Sequence, residues 1–154
     1  MHKTLFDLEC TARLGRLLAF GLISQGCCPI LISGALGAGK TTLIRYIVTN
    51  LPGGDQAEVS SPSFNLINVY PTQPEVAHMD LYRLGQAGLD DSLIEYLETE
   101  DMALLVEWAE YVPQDALPAN FIRMQIHVTD QDRVAELTAY GSRANAWLEH
   151  MKAS

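Results

Sequence analysis

A run of glycines followed by a lysine and a threonine is the part of this sequence with the clearest chemistry. Residues 34–41 read Gly-Ala-Leu-Gly-Ala-Gly-Lys-Thr and fit the pattern G-x-x-x-x-G-K-[ST]. Glycines let the backbone turn tightly and bring N–H groups against phosphate oxygens. A helix that starts after the run would point its free N–H groups at the same phosphates. The pattern predicts a nucleotide site in which Lys40 bridges the β and γ phosphates and Thr41 ligates Mg²⁺.

The residues on either side of this loop have the patterns of a strand and a helix. Residues 29–33 form a short apolar run with β-branched side chains, which is typical of a buried strand. Residues 40–51 predict a helix that ends before Pro52-Gly53-Gly54. This context distinguishes a phosphate loop from a glycine-rich turn with a solvated lysine. The predicted nucleotide-binding residues of the segment are Gly34, Leu36, Gly37, Ala38, Gly39, Lys40, Thr41 and Thr42.

Two acidic residues stand at the ends of other apolar runs. Glu107 directly follows a run of Leu and Val, and Asp80 follows a less apolar run that contains a histidine. A phosphate loop needs a carboxylate at such a strand end, where it holds Mg²⁺ directly or through water. Each acid is also compatible with a solvated strand end. The pattern alone leaves both interpretations open.

A Ser-Pro-Ser segment, Ser61 to Ser63, lies between the helix of the phosphate loop and the next strand pattern. In nucleotide-dependent proteins a switch segment at this place senses the γ-phosphate or the metal through a hydroxyl. Serine and proline are equally ordinary turn residues. The residues alone leave open whether Ser61 and Ser63 form a switch or a turn.

The remaining patterns complete an α/β fold. The predicted helices cover residues 7–24, 89–98 and 142–151, and the predicted strands cover 64–70, 76–79, 102–106, 121–128 and 133–140. The last two strands flank a polar turn and predict an antiparallel pair. We therefore predict a single P-loop ATPase domain over residues 1–154. Its fold would be a three-layer, P-loop NTPase-like α/β fold, with a mixed central sheet that is antiparallel toward the C-terminus.

Composition and charge argue against several classes of protein. Hydrophobic residues make up 48% of the chain and charged residues 19%, which fits a globular protein. The net charge of -9 argues against broad electrostatic binding to nucleic acid. No apolar run approaches the roughly 20 residues that span a bilayer, and the N-terminus lacks a signal-peptide layout. Cys10, Cys27 and Cys28 are a poor disulfide framework, so we expect reduced thiols in a cytoplasmic protein.

Four blocks of the sequence together resemble the TsaE family, bacterial ATPases required for the threonylcarbamoyladenosine modification of transfer RNA. The blocks are residues 34–42, Ser-Pro-Ser-Phe at 61–64, His-Met-Asp-Leu-Tyr-Arg-Leu at 78–84 and Leu-Val-Glu-Trp at 105–108. The last two blocks are more specific than the phosphate loop, because P-loop proteins in general do not share them. The resemblance implies a P-loop domain that binds Mg²⁺, takes ATP as its substrate and hydrolyses it weakly when isolated.

The resemblance also implies partners of the TsaB and TsaD type, the latter transferring the threonylcarbamoyl group to adenosine 37 of tRNA. Because the chain is acidic, we expect any contact with tRNA to be indirect, through these partners. No arginine is clearly placed as a finger, although Arg83 is the nearest candidate. A missing finger fits an enzyme that is slow until a partner completes its site, since a supplied arginine is worth roughly 10³–10⁵-fold in rate.

Carried over block by block, the resemblance implies a role for single residues. Lys40, Glu107 and Asp80 would be the catalytic residues. Thr41 and Glu107 would serve Mg²⁺, and Asp80 would stand beside them, either behind the direct ligands or acting on the metal through water.

Three further sets of residues receive roles by the same resemblance. Ser61 and Ser63 would belong to the first switch. Trp108 would lie near the nucleotide or on a partner face, although a packed core tryptophan is an equal alternative. Asp7, Thr11 and Arg133 would lie on the adenine side.

The sequence departs from the family pattern at two positions. Ala35 stands where the family usually has an acid. The loss of this acid would slow ATP hydrolysis and leave ATP binding intact. Ser63 stands where threonine is usual and keeps the hydroxyl.

Two other functions remain compatible with the sequence. A small-molecule kinase would fit the size and the phosphate loop, but an arginine-bearing lid is hard to assign. A non-hydrolysing, nucleotide-dependent adaptor is favoured slightly by Ala35. A GTPase is disfavoured because no base-reading segment of the Asn-Lys-x-Asp type is present.

Overall fold

The computed structural model describes residues 1–62, 64–130 and 132–153, with the side chain of Gln86 excluded, and within them seven strands form one sheet. The strands are β1 His2–Leu5, β2 Ile30–Gly34, β3 Ile67–Tyr70, β4 Val76–Asp80, β5 Ala103–Glu107, β6 Phe121–Val128 and β7 Arg133–Tyr140. Their order across the sheet is β1-β7-β6-β2-β5-β4-β3. The central strands β6, β2, β5 and β4 are parallel, whereas β7, β1 and β3 pair antiparallel with their neighbours.

Helices cover both faces of this sheet. The described α-helices are α1 Leu8–Gln25, α2 Lys40–Thr49, α3 Asp91–Glu98 and α4 Ser142–Ala153, joined by short 3-10 turns at Gly54–Gln56, Gly85–Ala87, Ala109–Tyr111 and Gln114–Ala116. One apolar core contains side chains of α1, α2 and α4, and the other contains side chains of α3. The predicted three-layer α/β fold with a mixed sheet is therefore confirmed.

Strand alternation divides the apolar side chains between the two cores. In β2, Ile30 and Ile32 belong to the core beside α1 and α2, and Leu31 belongs to the core beside α3. The same alternation places every second residue of β4 and β5 on the face of α2. Residues of these two strands that face α2 can therefore reach the phosphate loop at the start of that helix.

The structure adds one strand that was not predicted and corrects the bounds of another. Strand β1 has no strong pattern of its own, because only Leu5 of its four residues is buried, and it forms by pairing with β7. The strand expected over residues 64–70 begins at Ile67 instead. Leu66 has a left-handed backbone with φ 62°, so an extended strand cannot pass through this residue. Its N–H donates to the carbonyl of Pro62 at 3.0 Å.

The described helices do not include one long and apolar enough to cross a bilayer. Cys10, Cys27 and Cys28 are all free thiols. Burial raises the pKa of the Cys28 thiol to about 11, which suits a small side chain packed in the core.

A close contact between α1 and α2 fixes the helix that carries the phosphate loop. Gly15 faces Tyr46, and a Cβ at position 15 would lie 2.4 Å from the Tyr46 Cβ and 3.0 Å from its carbonyl carbon. Both atoms belong to the rigid part of α2. A larger residue would therefore push the two helices apart.

We predict that Gly15→Ala lowers the free energy of unfolding by about 1–2 kcal/mol. Overpacking costs roughly 1–3 kcal/mol, and the better helix propensity of alanine returns at most about 1 kcal/mol. Urea unfolding measures the change, with Ser24→Ala at an exposed position of the same helix as the matched control. Stability equal to wild type in Gly15→Ala would show that the helices adjust freely.

Candidate functional site

A cavity of about 500 Å³ opens at the edge of the sheet where the parallel strands end and α2 begins. The carboxyl ends of β2, β4 and β5 meet there because these strands are parallel neighbours. Ligand sites of open α/β sheets lie at this edge. The residues that line the cavity are Leu36, Gly37, Gly39, Lys40, Thr41, Thr42, Ser61, Asp80, Tyr82, Arg83, Glu107 and Trp108.

The loop between β2 and α2 presents backbone groups to this cavity. Gly39 is the N-cap of α2 and has φ 98°, a conformation that side-chain-bearing residues rarely adopt. The first turn of the helix closes with the Leu43 N–H donating to the Gly39 carbonyl at 2.9 Å. The N–H groups that precede this bond have no partner within the helix, and Gly39, Lys40, Thr41 and Thr42 line the cavity. The loop is therefore built to accept an anion at a helix N-terminus.

Lys40 is the central cation of the cavity and is only 5% exposed. Its Nζ donates to the carbonyl oxygens of Gly34 at 2.6 Å and Ala35 at 2.9 Å, and it lies 4.0 Å from the ring centroid of Trp108. Burial lowers the pKa of Lys40 below its usual value, and the nearby carboxylate of Glu107 opposes this shift. A bound anion would therefore favour the charged form of this side chain.

Glu107 connects the end of β5 to the start of α2. Its side chain is 3% exposed, and its two oxygens lie 2.7 Å and 2.9 Å from the Thr41 hydroxyl, which donates to them. The Oε1 atom also lies 2.8 Å from Nε2 of His78, which is fully buried in β4. The carboxylate is thus held between the phosphate loop and the neighbouring strand.

Asp80 ends β4 and lies opposite Glu107 in the register of the parallel pair. The Ser61 hydroxyl donates to Oδ2 of Asp80, and the Tyr82 N–H donates to Oδ1 at 2.9 Å. The structure therefore brings Ser61 of the predicted switch onto one of the predicted acids. Ser63, the other predicted switch residue, lies outside the described residues.

The donor set of Thr41, Glu107 and Asp80 fits Mg²⁺. These side chains supply a hydroxyl and two carboxylates, and Mg²⁺ prefers oxygen ligands. The described residues contain no group of three or more His, Cys, Asp and Glu side chains suited to a metal. A magnesium ion held here would therefore complete its coordination with phosphate oxygens and water, as is usual for nucleotide sites.

Aromatic and basic side chains form the outer wall of the cavity. The ring of Trp108 lies 4.8 Å from the ring of Tyr82, and the Arg83 guanidinium lies 5.0 Å from the exposed ring of Phe64. Trp108 is half-buried, so it both packs against neighbouring residues and faces the cavity. Its ring also contacts Lys40, while the position of Trp108 near the nucleotide or on a partner face stays a prediction.

Three residues predicted on the adenine side do not line this cavity. Asp7 is the N-cap of α1 and accepts the Cys10 N–H at 2.7 Å, a bond that lowers the pKa of its carboxyl. Thr11 donates its hydroxyl to the Asp7 carbonyl at 3.1 Å. Arg133 is the first residue of β7 and pairs with Leu5, two residues before Asp7. These residues lie together, and their contact with adenine stays a prediction.

Two residues of the site were not predicted from the sequence. Tyr82 lines the cavity, and His78 contacts Glu107 from the buried side. Both lie in the block His78 to Leu84, and for His78 the spacing supplied a signal, because every second residue of β4 shares a face with Asp80.

The fold and the site together define a protein of the P-loop NTPase-like α/β class. The family model for "Threonylcarbamoyl adenosine biosynthesis protein TsaE" matches residues 5–136, and the chain therefore belongs to the TsaE family, as its motifs predicted. Family membership places the chain in threonylcarbamoyladenosine biosynthesis.

Individual relatives agree with this assignment. The "tRNA threonylcarbamoyladenosine biosynthesis protein TsaE" of Streptomyces coelicolor is 34% identical, covering 88% of this chain and 91% of its own length. The protein of the same name from Nostoc sp. is 36% identical, covering 88% of this chain and 84% of its own. The crystal structure of Bacillus subtilis YdiB has a TM-score of 0.75 at 24% identity, covering 99% of this chain and 94% of that one. This last likeness shows the fold.

We predict that Thr41→Val lowers the free energy of unfolding by about 1–2 kcal/mol in metal-free buffer. The substitution keeps the shape but removes the donor to the buried Glu107 carboxylate, and hydrogen bonds to charged groups contribute roughly 1.5–3 kcal/mol. Urea unfolding in the presence of EDTA measures the loss. Thr41→Ser keeps the hydroxyl and should lose clearly less. Equal stability of Thr41→Val and wild type would contradict the proposed strength of this bond.

Proposed function

We propose that this protein is a Mg²⁺-dependent ATPase of low intrinsic activity that supports threonylcarbamoyl transfer to adenosine 37 of tRNA through a partner complex. The observation that carries the proposal is the contact between Thr41 and Glu107 beside Lys40. It joins a phosphate loop to a strand-end carboxylate from a distant part of the chain. That pairing of a hydroxyl and an acid is what a magnesium nucleotide needs from a P-loop protein.

The chemistry would consist of positioning and electrostatic stabilisation. The loop N–H groups and Lys40 would hold the β and γ phosphates and balance charge that develops on them. Thr41 and Glu107 would hold Mg²⁺, which when bound neutralises phosphate charge. Glu107 and Asp80 would orient the attacking water by accepting its hydrogens. Ser61, through its hydrogen bond to Asp80, would transmit the state of the site to the switch segment.

Several features support a dependence on partners. Leu36 and Tyr82 line the cavity and are exposed, and the exposed Phe64 lies against Arg83, which also lines the cavity; a partner surface would bury these side chains. Arg83 is the basic side chain nearest to a finger position, and it lies against Phe64 of the switch region. Proteins of the TsaB and TsaD type are the proposed partners, in the cytoplasm, with tRNA reached only through them.

One prediction from the proposed function concerns phosphate release from ATP. Wild-type protein should release phosphate slowly and only with Mg²⁺, and faster when a TsaB–TsaD complex is added. Lys40→Ala should lower release by about 10²–10³-fold, because it removes a preorganised charge at the phosphates. Steady-state phosphate detection without any acceptor measures this, with Lys152→Ala at a distant exposed lysine as the control.

The alternatives give different results in the same assay. A small-molecule kinase would release little phosphate until its acceptor is supplied. An adaptor would bind ATP with normal affinity and release no phosphate with or without the partners. ATP binding without phosphate release, both with and without the partners, would contradict the proposed hydrolysis.

Another prediction from the proposed function concerns Ala35, the position at which the family usually has an acid. Ala35 is exposed, so a longer side chain at this position fits without rearrangement. Ala35→Glu should raise phosphate release by about tenfold or more, if an added carboxylate helps to orient water. Ala35→Gln, of equal size and without charge, is the matched control. Equal rates in the two variants would show that an acid at this position contributes nothing to hydrolysis.

A further inference from the structure

His78 is a buried titratable group with no role in the chemistry described so far. It is fully buried in β4, whereas His2 and His127 are exposed and His150 is half-buried. Its side chain does not line the cavity, so it cannot touch a ligand there. A polar ring in this position needs hydrogen-bond partners, because an unsatisfied one is costly in an apolar core.

Both ring nitrogens of His78 lie near polar side chains. Nε2 lies 2.8 Å from Oε1 of Glu107, and Nδ1 lies 3.4 Å from the hydroxyl of Tyr70 in β3. Glu107 in turn contacts the Thr41 hydroxyl. A continuous row of polar groups therefore crosses the face of the sheet beneath α2, in the order Tyr70, His78, Glu107 and Thr41.

The chemistry of these groups fixes the direction of the hydrogen bonds. A carboxylate only accepts, so the short contact between His78 and Glu107 requires a hydrogen on Nε2. In a neutral imidazole Nδ1 is then an acceptor, and the Tyr70 hydroxyl is the donor beside it.

The Tyr70 hydroxyl has a second acceptor within reach. The carbonyl of Ser60, next to the switch residue Ser61, lies 3.4 Å from this hydroxyl. The Ser60 carbonyl also receives the side-chain amide of Asn68 at 3.3 Å. The Ser60 carbonyl therefore still accepts a hydrogen bond when the Tyr70 hydroxyl donates to His78. Every polar group of the row then has a hydrogen-bond partner.

We propose that His78 is the positioning residue of the magnesium site, and that its hydrogen bond to Glu107 fixes its tautomer. This inference rests on the proposed function of Glu107 as a metal ligand. By holding Oε1, His78 fixes the rotation of the carboxylate and keeps Glu107 against Thr41 at the cavity wall. Partners behind metal ligands orient them in this way, and their loss typically costs about 10–100-fold in metal affinity. The effect of His78 should therefore appear only when Mg²⁺ takes part.

The tautomer can be measured without nucleotide or metal. Long-range ¹H–¹⁵N correlation spectra of ¹⁵N-histidine-labelled protein show which ring nitrogen carries hydrogen, and comparison with His78→Gln assigns the His78 signals. We expect a hydrogen on Nε2 in the wild type, and a change in the Nδ1 shift in Tyr70→Phe. A bare Nε2 nitrogen would overturn the proposal whatever the protein does with ATP.

The second experiment compares His78→Met with His78→Gln. Glutamine keeps an N–H donor for Glu107 and methionine does not, while both have about the length of the original side chain. Nucleotide affinity is measured for each variant by titration calorimetry, with Mg²⁺ and with EDTA. Met79→Leu is the control, because its side chain lies in the same strand on the opposite face.

We expect His78→Met to weaken binding of the magnesium nucleotide by about tenfold or more, with metal-free binding unchanged. His78→Gln should recover most of the loss, and Met79→Leu should match wild type. Equal losses in His78→Met with and without Mg²⁺ would mean that His78 only packs the core. If His78→Met does not fold, the tautomer measurement decides the question, because a wild-type Nε2 without a hydrogen contradicts the proposal. Failure of wild type to bind nucleotide would refute the proposed function, while the tautomer result would stand separately.

Discussion

The buried carboxylate of Glu107 is the constraint on which the rest of the site depends. A charged group at 3% exposure is stable only when its oxygens receive hydrogen bonds. The donors come from two other elements, Thr41 at the start of α2 and His78 in the middle of β4. Because both must reach the same carboxylate, the phosphate loop, β4 and β5 are fixed relative to one another. The geometry of the site is thus set by satisfying a buried charge, in addition to apolar packing.

The register of the parallel strands places a second acid beside the buried carboxylate of Glu107. Asp80 and Glu107 are paired across β4 and β5, so the two acids end neighbouring strands at the same height. A shift of one residue would move one of them to the face of α3, where apolar side chains fill the core. The apolar residues of both strands therefore define the position of the acids as firmly as the acids' own hydrogen bonds do.

The parts of this site that could be predicted are those whose cause is local. The phosphate loop follows from glycines and a lysine at fixed spacing, and Glu107 follows from an acid at the end of an apolar run. The position of β1 could not be predicted, because its stability comes from pairing with β7. The same holds for His78, whose contact with Glu107 depends on the pairing of two strands that are separated by a helix. The left-handed backbone of Leu66, after which β3 begins, has no recognisable sequence pattern either.

The balance of charge in the cavity bears on how the proposed chemistry would start. Of the described residues that line it, Lys40 and Arg83 are cationic and Asp80 and Glu107 are anionic, so the lining is close to neutral. Lys40 is buried and already bonded to two carbonyl groups of its own loop. A polyphosphate alone would therefore meet two carboxylates with little surplus positive charge to compensate them. A divalent cation would remove this conflict, because the acids that repel phosphate are the groups that would hold the metal. Under the proposed function, the acids would make nucleotide affinity depend on Mg²⁺, and the buried polar row behind Glu107 would determine the size of this dependence.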